Sequence, residues 1–370
     1  MHMTRKFTVL AAAAMVVLAA CSSGSGSPSA AALTPVKLQL QWFPQAQFAG
    51  YFAAVDQGFY KAQGLDVKIL PGGVDIVPAT VVAGGGAEFG ISWVPKMLAS
   101  RESGADVQVI GQVFQRSGTL QVSWKDAAIT KPADWKGKKV GTWGFGNEAE
   151  LYAAMRTVGI DPANPSDVTI VPQQFDMNAF LNGEIDAAQA MIYNEYAQVL
   201  EATNPATGAL YQPGDLNVID YNAVGTAMLQ DGVFARAGWL AADPCNVEAA
   251  VKFLKGTFKG WAFCRDNPGE CVDDVLAAGT ALGKGHQTWQ MNEVNPLIWP
   301  SPGGIGVMDA SLYDQTVAVA TGGGVITAPP PADAIRTDLA QRALLELGPD
   351  FDAKGTSFQK GTVTVTAGGE

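Results

Sequence analysis

The stretch QWFPQAQFAGY, residues 41–51, sets four aromatic side chains among glutamines directly after an alternating apolar run. That run, 36–42, predicts a strand, and the helical spacing of apolar residues over 47–63 predicts a helix. A strand that passes straight into a helix is the unit of an α/β fold. The stretch therefore lies at the carboxyl end of the first predicted strand, where open α/β sheets bind their ligands.

The alternation of strands and helices continues along the chain and predicts parallel sheets with helices on both faces. Further strands are predicted at 65–70, 87–92, 139–143, 168–172, 186–191 and 216–221, and helices at 76–83, 147–158, 177–182 and 194–202. Two extended runs within 107–125 suit a crossover between lobes. The last third is predicted to be mostly helical, at 247–264, 272–282, 309–320 and 336–347.

Residues 1–20 carry the pattern of an export signal, with Arg5 and Lys6 ahead of an apolar run that is too short to span a membrane. The run ends at Cys21 in a sequence that resembles a bacterial lipobox, which implies lipidation of Cys21. The alternative is an ordinary signal peptide with a chance cysteine. Residues 21–34 are rich in serine and glycine and predict a flexible tether. We expect an exported protein, lipid-anchored to the outer face of the bacterial cytoplasmic membrane.

The folded part should begin near Pro35 and is longer than one core usually serves, which predicts two lobes. The first lobe is expected at 35–125 and the second at 126–225. The chain should then return to the first lobe and its C-terminal helices over 226–348. The tail, 349–370, lies outside this pattern, and the sequence leaves its order open.

Charge and cysteine content narrow the possible partners. The formal net charge of −11 disfavours nucleic acid and anionic lipid, so the only membrane contact expected is the lipid anchor. Beyond the leader the chain has one histidine, His286, and no CxxC pair, so neither a metal site nor a cofactor is expected. Cys264 and Cys271 flank an Asn-Pro-Gly break that lets them stand on successive helices, and we predict a disulfide between these two cysteines alone.

Several short motifs together resemble the signature of a solute-binding family that groups sulfonate-binding proteins with relatives of the thiamine-pyrimidine synthase. They are QWFP at 41–44, FAGY at 48–51, QGFY at 57–60, GLDV at 64–67, GGAEFG at 85–90 and DWKGKKVG at 134–141. The resemblance runs over about residues 36 to 320. It implies a type II periplasmic-binding-protein fold, in which two α/β lobes joined by two crossovers close on a ligand. It also implies a monomer that delivers a small molecule to the permease and ATPase of an ABC transporter.

The candidate ligand-binding residues share a position where a predicted strand ends at the crevice. They are Trp42, Gln45, Gln47, Ser92, Trp93, Gln115, Arg116, Trp143, Gly144, Asn147, Phe175, Tyr193, Asn194 and Glu195. Aromatic rings there would stack on a planar guest, and amides would bind its polar edges. Phe43, Phe48 and Phe52 are instead interpreted as core. For Asn147, Asn194 and Glu195, a role at the N-terminus of a helix explains the residue type as well as ligand binding does.

The charges at the predicted crevice favour a neutral ligand. Two cations, Arg116 and Lys96, stand against the carboxylates Asp176, Glu148 and Glu195. A sulfonate or nitrate site needs cations without nearby carboxylates. Within the family that the motifs resemble, the riboflavin-type branch is the most similar. We therefore rank riboflavin first, the thiamine pyrimidine second and a sulfonate such as taurine third.

The resemblance also implies an alternative, because the same fold is used by a pyrimidine synthase with a reactive histidine and by a desulfinase with a cysteine nucleophile. His286 falls in the later helical region, and no cysteine follows a strand at the crevice edge. The residues that such chemistry needs are therefore missing from the predicted site. A scaffold lipoprotein, the third alternative, would not need an aromatic crevice. We predict a binding protein rather than an enzyme.

Overall fold

The computed structural model describes residues 32–370. The predicted leader, the lipidation of Cys21 and nearly all of the predicted tether lie outside the described residues. Within the described part, no helix is both long and apolar enough to cross a membrane.

Over residues 32–370, ten strands form two five-stranded sheets. The first sheet has the order β2-β1-β3-β10-β4 and the second the order β7-β6-β8-β5-β9. The strands are β1 (Thr34–Gln39), β2 (Leu65–Leu70), β3 (Phe89–Ser92), β4 (Val107–Gln112), β5 (Thr119–Trp124), β6 (Lys139–Thr142), β7 (Thr169–Pro172), β8 (Ala187–Met191), β9 (Leu216–Asp220) and β10 (Gly232–Arg236). Every predicted strand is present, with ends shifted by a few residues.

Both sheets are mixed, whereas the alternation of strands and helices had predicted parallel sheets. β10 runs antiparallel to β3 and β4, and β5 runs antiparallel to β8 and β9. Each of these two strands follows a crossover from the other sheet. β5 already belongs to the second sheet. The chain thus reaches that sheet at Thr119, ahead of the predicted boundary at 126.

Fourteen helices of the described chain cover the sheets. They are α1 (Ala49–Asp56), α2 (Phe59–Ala62), α3 (Pro78–Ala83), α4 (Val94–Glu102), α5 (Ala149–Thr157), α6 (Asn178–Leu181), α7 (Glu195–Glu201), α8 (Tyr221–Val224), α9 (Ala237–Ala242), α10 (Pro244–Asp266), α11 (Pro268–Ala278), α12 (Lys284–Ile298), α13 (Ala310–Gly323) and α14 (Thr337–Leu347). The long first helix predicted from the sequence is broken at Gly58, whose φ of +69° suits glycine. The sequence interpretation missed α4, α8, α9 and α12.

The first sheet is anchored where α1 packs on α10. Two glycines permit this contact, since a Cβ built on Gly260 would lie 2.0 Å from the carbonyl oxygen of Gly50. Phe48 is fully buried and Phe52 packs against the same core, as predicted. Phe43 is 50% exposed, so its assignment to the core was wrong. The ring of Phe43 lies edge-on to Trp42 in the turn after β1, at 5.4 Å between centroids.

The predicted disulfide between Cys264 and Cys271 is confirmed. The two residues stand on α10 and α11, with their Cα atoms 5.5 Å apart. Cys245 is disulfide-bonded too, although the prediction had assigned only the first pair. The described residues therefore contain no free thiol.

The tail, whose order the sequence left open, has a defined path along the molecule. Phe351 and Phe358 pack against the core of the first sheet. Lys360 Nζ lies 2.6 Å from Glu293 Oε2 on α12. At the very end, Gly369 passes so close to His286 that a Cβ in its place would lie 2.8 Å from the histidine Cβ. The chain end thus covers the outer side of α12.

Candidate ligand-binding cleft

A cleft of about 520 Å³ opens at the carboxyl ends of strands from both sheets. Its size falls in the range of about 300–1,000 Å³ that is usual for small-molecule sites. The turns after β1 and β3 supply one side, and the turns after β6, β7 and β8 supply the other. This is the edge at which α/β folds bind ligands.

Most of the candidate residues meet in this cleft. Eleven of the fourteen line it, namely Trp42, Gln45, Gln47, Ser92, Trp93, Trp143, Asn147, Phe175, Tyr193, Asn194 and Glu195. They come from five turns that lie far apart in sequence. Their convergence follows from the fold, because strands β1, β3, β6, β7 and β8 all end on the same side.

The structure corrects the placement of the other three. Gln115 is a buried residue of the crossover between β4 and β5, and its Nε2 donates to the carbonyl oxygen of Gln112 at 2.7 Å. Arg116 donates to the carbonyl oxygens of Pro296 and Pro300, at 3.1 and 3.0 Å. Gly144 adjoins the cleft without lining it, and its carbonyl oxygen accepts from Asn147 Nδ2 at 2.7 Å. None of the three lines the cavity.

Three aromatic rings connect the two sheets across the cleft. Trp42 from the first sheet and Phe175 from the second lie 4.8 Å apart between ring centroids. Phe175 lies in turn 6.1 Å from Trp143, nearly parallel to it. The indole Nε1 of Trp143 is buried and has no hydrogen-bond partner among the described residues. The cleft thus offers flat apolar surfaces from both sheets.

On the side of the first sheet, three glutamines and one aspartate form what we call the first wall: Gln41, Gln45, Gln47 and Asp231. Gln41 Nε2 donates to Asp231 Oδ1 at 2.6 Å, and Gln47 Nε2 donates to Asp231 Oδ2 at 2.8 Å. Gln45 Nε2 donates to Gln47 Oε1 at 2.7 Å. All three glutamines line the cleft, while Asp231 lies behind them.

Helix α12 holds the backbone of the first wall. The amide N–H of Ala46 donates to Gln287 Oε1 at 2.7 Å, and that of Gln47 donates to Gln290 Oε1 at 3.0 Å. Both glutamines of α12 are fully buried. The turn after β1 is therefore fixed by side chains from a helix that the sequence interpretation did not identify.

On the side of the second sheet, Glu195, Asn194 and His286 form what we call the second wall. Glu195 Oε2 accepts from the backbone N–H of Met191, and Oε1 accepts from Asn194 Nδ2, each at 2.9 Å. His286 Nε2 lies 2.9 Å from Asn194 Oδ1, and its Nδ1 lies 2.9 Å from Glu201 Oε1. The asparagine does not cap α7 through its side chain, nor does Asn147 cap α5. The capping alternative thus fails for both asparagines.

The charged groups at the cleft are few, and the carboxyl groups of Glu195 and Asp231 are buried. Burial lowers the pKa of Lys96 to about 8, against the pull of Glu148 and Asp231. Burial raises the pKa of Glu195 and that of Asp231 to about 7, although hydrogen bonds oppose the change. Among the described lining residues, Lys96 is the only cation, and two residues, Glu148 and Glu195, carry carboxyl groups. The lining therefore carries no surplus of positive charge for an anion.

The mouth of the cleft is apolar and exposed. Val74, Ile76 and Val77 lie just before or at the start of α3, and Phe145, at 84% exposure, projects from the opposite turn. Phe145 has a φ of +56° between two glycines with positive φ. The sequence interpretation did not assign these residues to the site. Exposed apolar side chains around a cavity are typical of a binding surface.

Two sheets joined by two crossovers, with a cleft between the carboxyl ends of their strands, define the periplasmic-binding-protein fold, which confirms the predicted fold class. Residues 45–271 match the profile described as NMT1/THI5 like, and the chain belongs to this family. The crystal structure of the periplasmic aliphatic sulphonate binding protein SsuA from Escherichia coli superposes with a TM-score of 0.60 at 13% identity, over 81% of this chain and 90% of that one. That likeness concerns the fold.

Two curated relatives are similar along most of the chain. A formylaminopyrimidine-binding protein from Halalkalibacterium halodurans is 23% identical over 71% of this chain and 76% of its own length. The riboflavin-binding protein RibY from Chloroflexus aurantiacus is 23% identical over 88% of this chain and 95% of its own length. Both are named as binding proteins, in agreement with the family predicted from the motifs.

Proposed function

We propose that the protein is the extracytoplasmic solute-binding component of an ABC importer and that it captures a planar nitrogen heteroaromatic molecule. The observation that carries the proposal is the cleft between the two sheets, where aromatic rings from both sides stand beside amide and carboxyl groups. Riboflavin is the first candidate ligand and the pyrimidine precursor of thiamine is the second. The names of the two curated relatives support both.

The chemistry of the lining favours such a ligand over an anion. Each stacked aromatic pair contributes about 0.5–1.5 kcal/mol beyond area burial, and the cleft offers Trp42, Trp143 and Phe175 as partners. Amides and carboxyl groups bind the polar edge of a heterocycle. A sulfonate would meet one ammonium group and two carboxyl groups, and Arg116, the second cation considered from the sequence, points elsewhere.

Capture follows from contacts with both sheets. A ligand that touches Trp42 on one side and Glu195 on the other binds a closed arrangement more tightly than one in which the two sides stand apart. That difference in affinity shifts the population toward closure. The closed form is the one that the permease would recognise. Export, and anchoring through Cys21, belong to the same proposal and rest on the sequence pattern.

An enzymatic function has less support. His286, the one histidine of the described chain, is fully buried and has both ring nitrogens within hydrogen-bond distance of Asn194 and Glu201. It does not line the cleft. No group of histidine, cysteine, aspartate and glutamate in the described residues is arranged to hold a metal ion. The cleft offers the surfaces for binding but no exposed nucleophile of the cysteine or histidine type.

The test is to purify the protein from cells, denature it, and record the absorbance spectrum and mass of the small molecules that are released. We expect a flavin or a pyrimidine. Protein that is purified empty is then titrated with riboflavin, with 4-amino-5-hydroxymethyl-2-methylpyrimidine and with taurine, and thermal unfolding is followed.

The outcomes separate the candidates. Release of a flavin, or stabilisation by riboflavin, supports the first ligand, and the same result with the pyrimidine supports the second. Stabilisation by taurine alone would overturn the heteroaromatic proposal in favour of a sulfonate-binding protein. Turnover of a ligand into a product of different mass would overturn the assignment as a binding protein.

A further inference from the structure

Asp231 is the buried acidic member of the first wall and lies just before β10. Its side chain is only 2% exposed, and it does not line the cleft. Its φ of +32° lies in the left-handed region, which aspartate tolerates better than most residues. Backbone strain of this kind persists where the surrounding structure fixes it, often beside functional sites. The fold thus holds a carboxyl group at the back of the cleft.

This carboxyl group determines how the glutamine amides are turned. An ionised carboxylate only accepts hydrogen bonds, so Gln41 and Gln47 must both direct their NH₂ groups toward it. Gln47 then turns its oxygen toward Gln45, which must donate its own NH₂ group. The orientation of three amides therefore follows from one acidic side chain.

Two acceptors remain for the cavity. Neither Gln41 Oε1 nor Gln45 Oε1 takes part in a hydrogen bond within the described residues, and neither is an atom sealed from solvent. Both residues line the cleft. The ammonium of Lys96 supports the ionised form of Asp231 by its charge. The first wall therefore presents carbonyl oxygens where freely rotating amides could equally present N–H groups.

We propose that Asp231 is a specificity-determining positioning residue, which fixes the first wall as a hydrogen-bond acceptor and so selects ligands whose edge carries N–H groups. The inference rests on the proposed function and narrows its ligand class to heteroaromatics with a ring N–H or an amino group. A sulfonate or carboxylate edge has only acceptors and would meet the glutamine oxygens unfavourably. The role differs from a direct contact, because Asp231 acts through the amides.

The test compares ligands that differ in one donor. Riboflavin is paired with 3-methylriboflavin, in which a methyl group replaces the ring N–H, and the aminopyrimidine is paired with its dimethylamino analogue. Dissociation constants are measured at about pH 8, where Asp231 is ionised, for the unaltered protein, Asp231→Asn and Asp186→Asn. Asp186 is the matched control, since it accepts one backbone N–H at the start of β8, away from the cleft.

We expect the unaltered protein and Asp186→Asn to prefer the N–H form of the ligand they bind by about tenfold or more, as polar sites do when a donor is removed. Asp231→Asn can donate to a glutamine and release its amide to turn, so the preference should shrink to about threefold or less. A general loss of packing would weaken both members of a pair equally and leave their ratio unchanged.

Two results would overturn the inference. One is an unchanged ratio in Asp231→Asn, and the other is the absence of any preference in the unaltered protein. Failure of the proposed function looks different, because then the unaltered protein binds neither pair, and both proposals fall. If Asp231→Asn does not fold, Gln41→Met removes one of the two oxygens from a partly exposed side chain, and the preference should fall in the same direction.

Discussion

The two walls of the cleft both contain a buried carboxyl group, but they place it differently relative to the cavity. Each has a buried carboxyl group whose pKa burial raises to about 7, Asp231 in the first and Glu195 in the second. Asp231 is screened from the cavity by amides that it orients. Glu195 lines the cavity itself and is held by one backbone N–H and one amide.

This difference separates selectivity from affinity. Substitution of Asp231 in the first wall alters the direction in which the glutamine amides point. Substitution of Glu195 in the second wall removes a group that would touch the ligand. The aromatic rings join the walls, since Trp42 belongs to one side and Phe175 to the other. Substitutions can therefore show whether the two walls act as distinctly as their geometry indicates.

The largest effect is expected for Glu195→Ala in the second wall. It removes a carboxyl group from the cavity and leaves the N–H groups of Met191 and Asn194 without their partner. Ligand binding should weaken by about 3 kcal/mol, the range for truncating one partner of a buried polar contact. Isothermal titration calorimetry measures the change, with the exposed Glu184→Ala as control. A loss no greater than that of the control would place the ligand away from Glu195.

Trp42→Ala should have the next largest effect. It removes a ring that lines the cleft and touches Phe175, so ligand binding should weaken by about 2 kcal/mol. Phe43→Ala is the matched control, because Phe43 adjoins Trp42 in sequence but is half-exposed and does not line the cleft. Fluorescence titration of both variants gives the comparison. Equal losses would show that the turn as a whole, rather than the stacked ring, carries the effect.

A dependence of stability on pH should follow from both walls. The folded pKa of Asp231 and Glu195 is about 7, above the unfolded value of about 4. Between these values the unfolded chain has lost protons that the folded protein keeps, so the ligand-free protein loses stability as pH rises, and the loss is complete above about pH 7. Each group contributes about 1.4 kcal/mol per pH unit in the middle of that window.

Urea unfolding of the ligand-free protein at pH 5 and pH 6 measures this slope. Asp231→Asn and Glu195→Gln should each flatten it, whereas Glu184→Gln, on an exposed turn, should not. If only one of the two variants flattened the slope, the walls would differ in protonation as well as in geometry.

The smallest effect is expected at the support of the first wall. Gln287→Met on α12 leaves the backbone N–H of Ala46 buried without an acceptor, which should lower the free energy of unfolding by about 1 kcal/mol. Thermal or urea denaturation measures the loss. Thr288→Val, at the next and partly exposed position of α12, removes only a side-chain bond within the helix and should change little. A neutral Gln287→Met would show that the turn does not depend on this bond.

The sequence predicted most of the strands, the edge at which the cleft opens and eleven of the residues that line it, because these follow local patterns. Trp42, Trp93, Trp143 and Tyr193 each stand at or just beyond the end of a strand with a clear apolar pattern. Helix α12 escaped detection because its first half buries His286, Gln287 and Gln290, and its buried apolar residues begin only at Met291. Hydrophobic periodicity is a weak signal for a helix whose buried side is half polar.

Asp231 escaped detection for a different reason. Its partners Gln41 and Gln47 lie more than 180 residues away in sequence, and nothing around position 231 marks a binding residue. Arg116 shows the converse error. It follows a strand as the lining residues do, but its guanidinium donates hydrogen bonds to the carbonyl oxygens of Pro296 and Pro300 near the end of α12. Contacts of this kind depend on the tertiary structure and have no local signal.

The path of the tail bears on how the protein can be handled. Thr366 Oγ1 donates to the carbonyl oxygen of Glu370, and Gly369 lies against Gly283 and His286 at the start of α12. A purification tag or fluorescent protein fused after Glu370 would begin at the helix that contacts both walls. Leu345 on α14 is 81% exposed and offers a site for a dye or a surface linkage at a distance in sequence from that helix. A biosensor made from this protein should therefore carry its label on α14 and leave residues 366–370 unaltered.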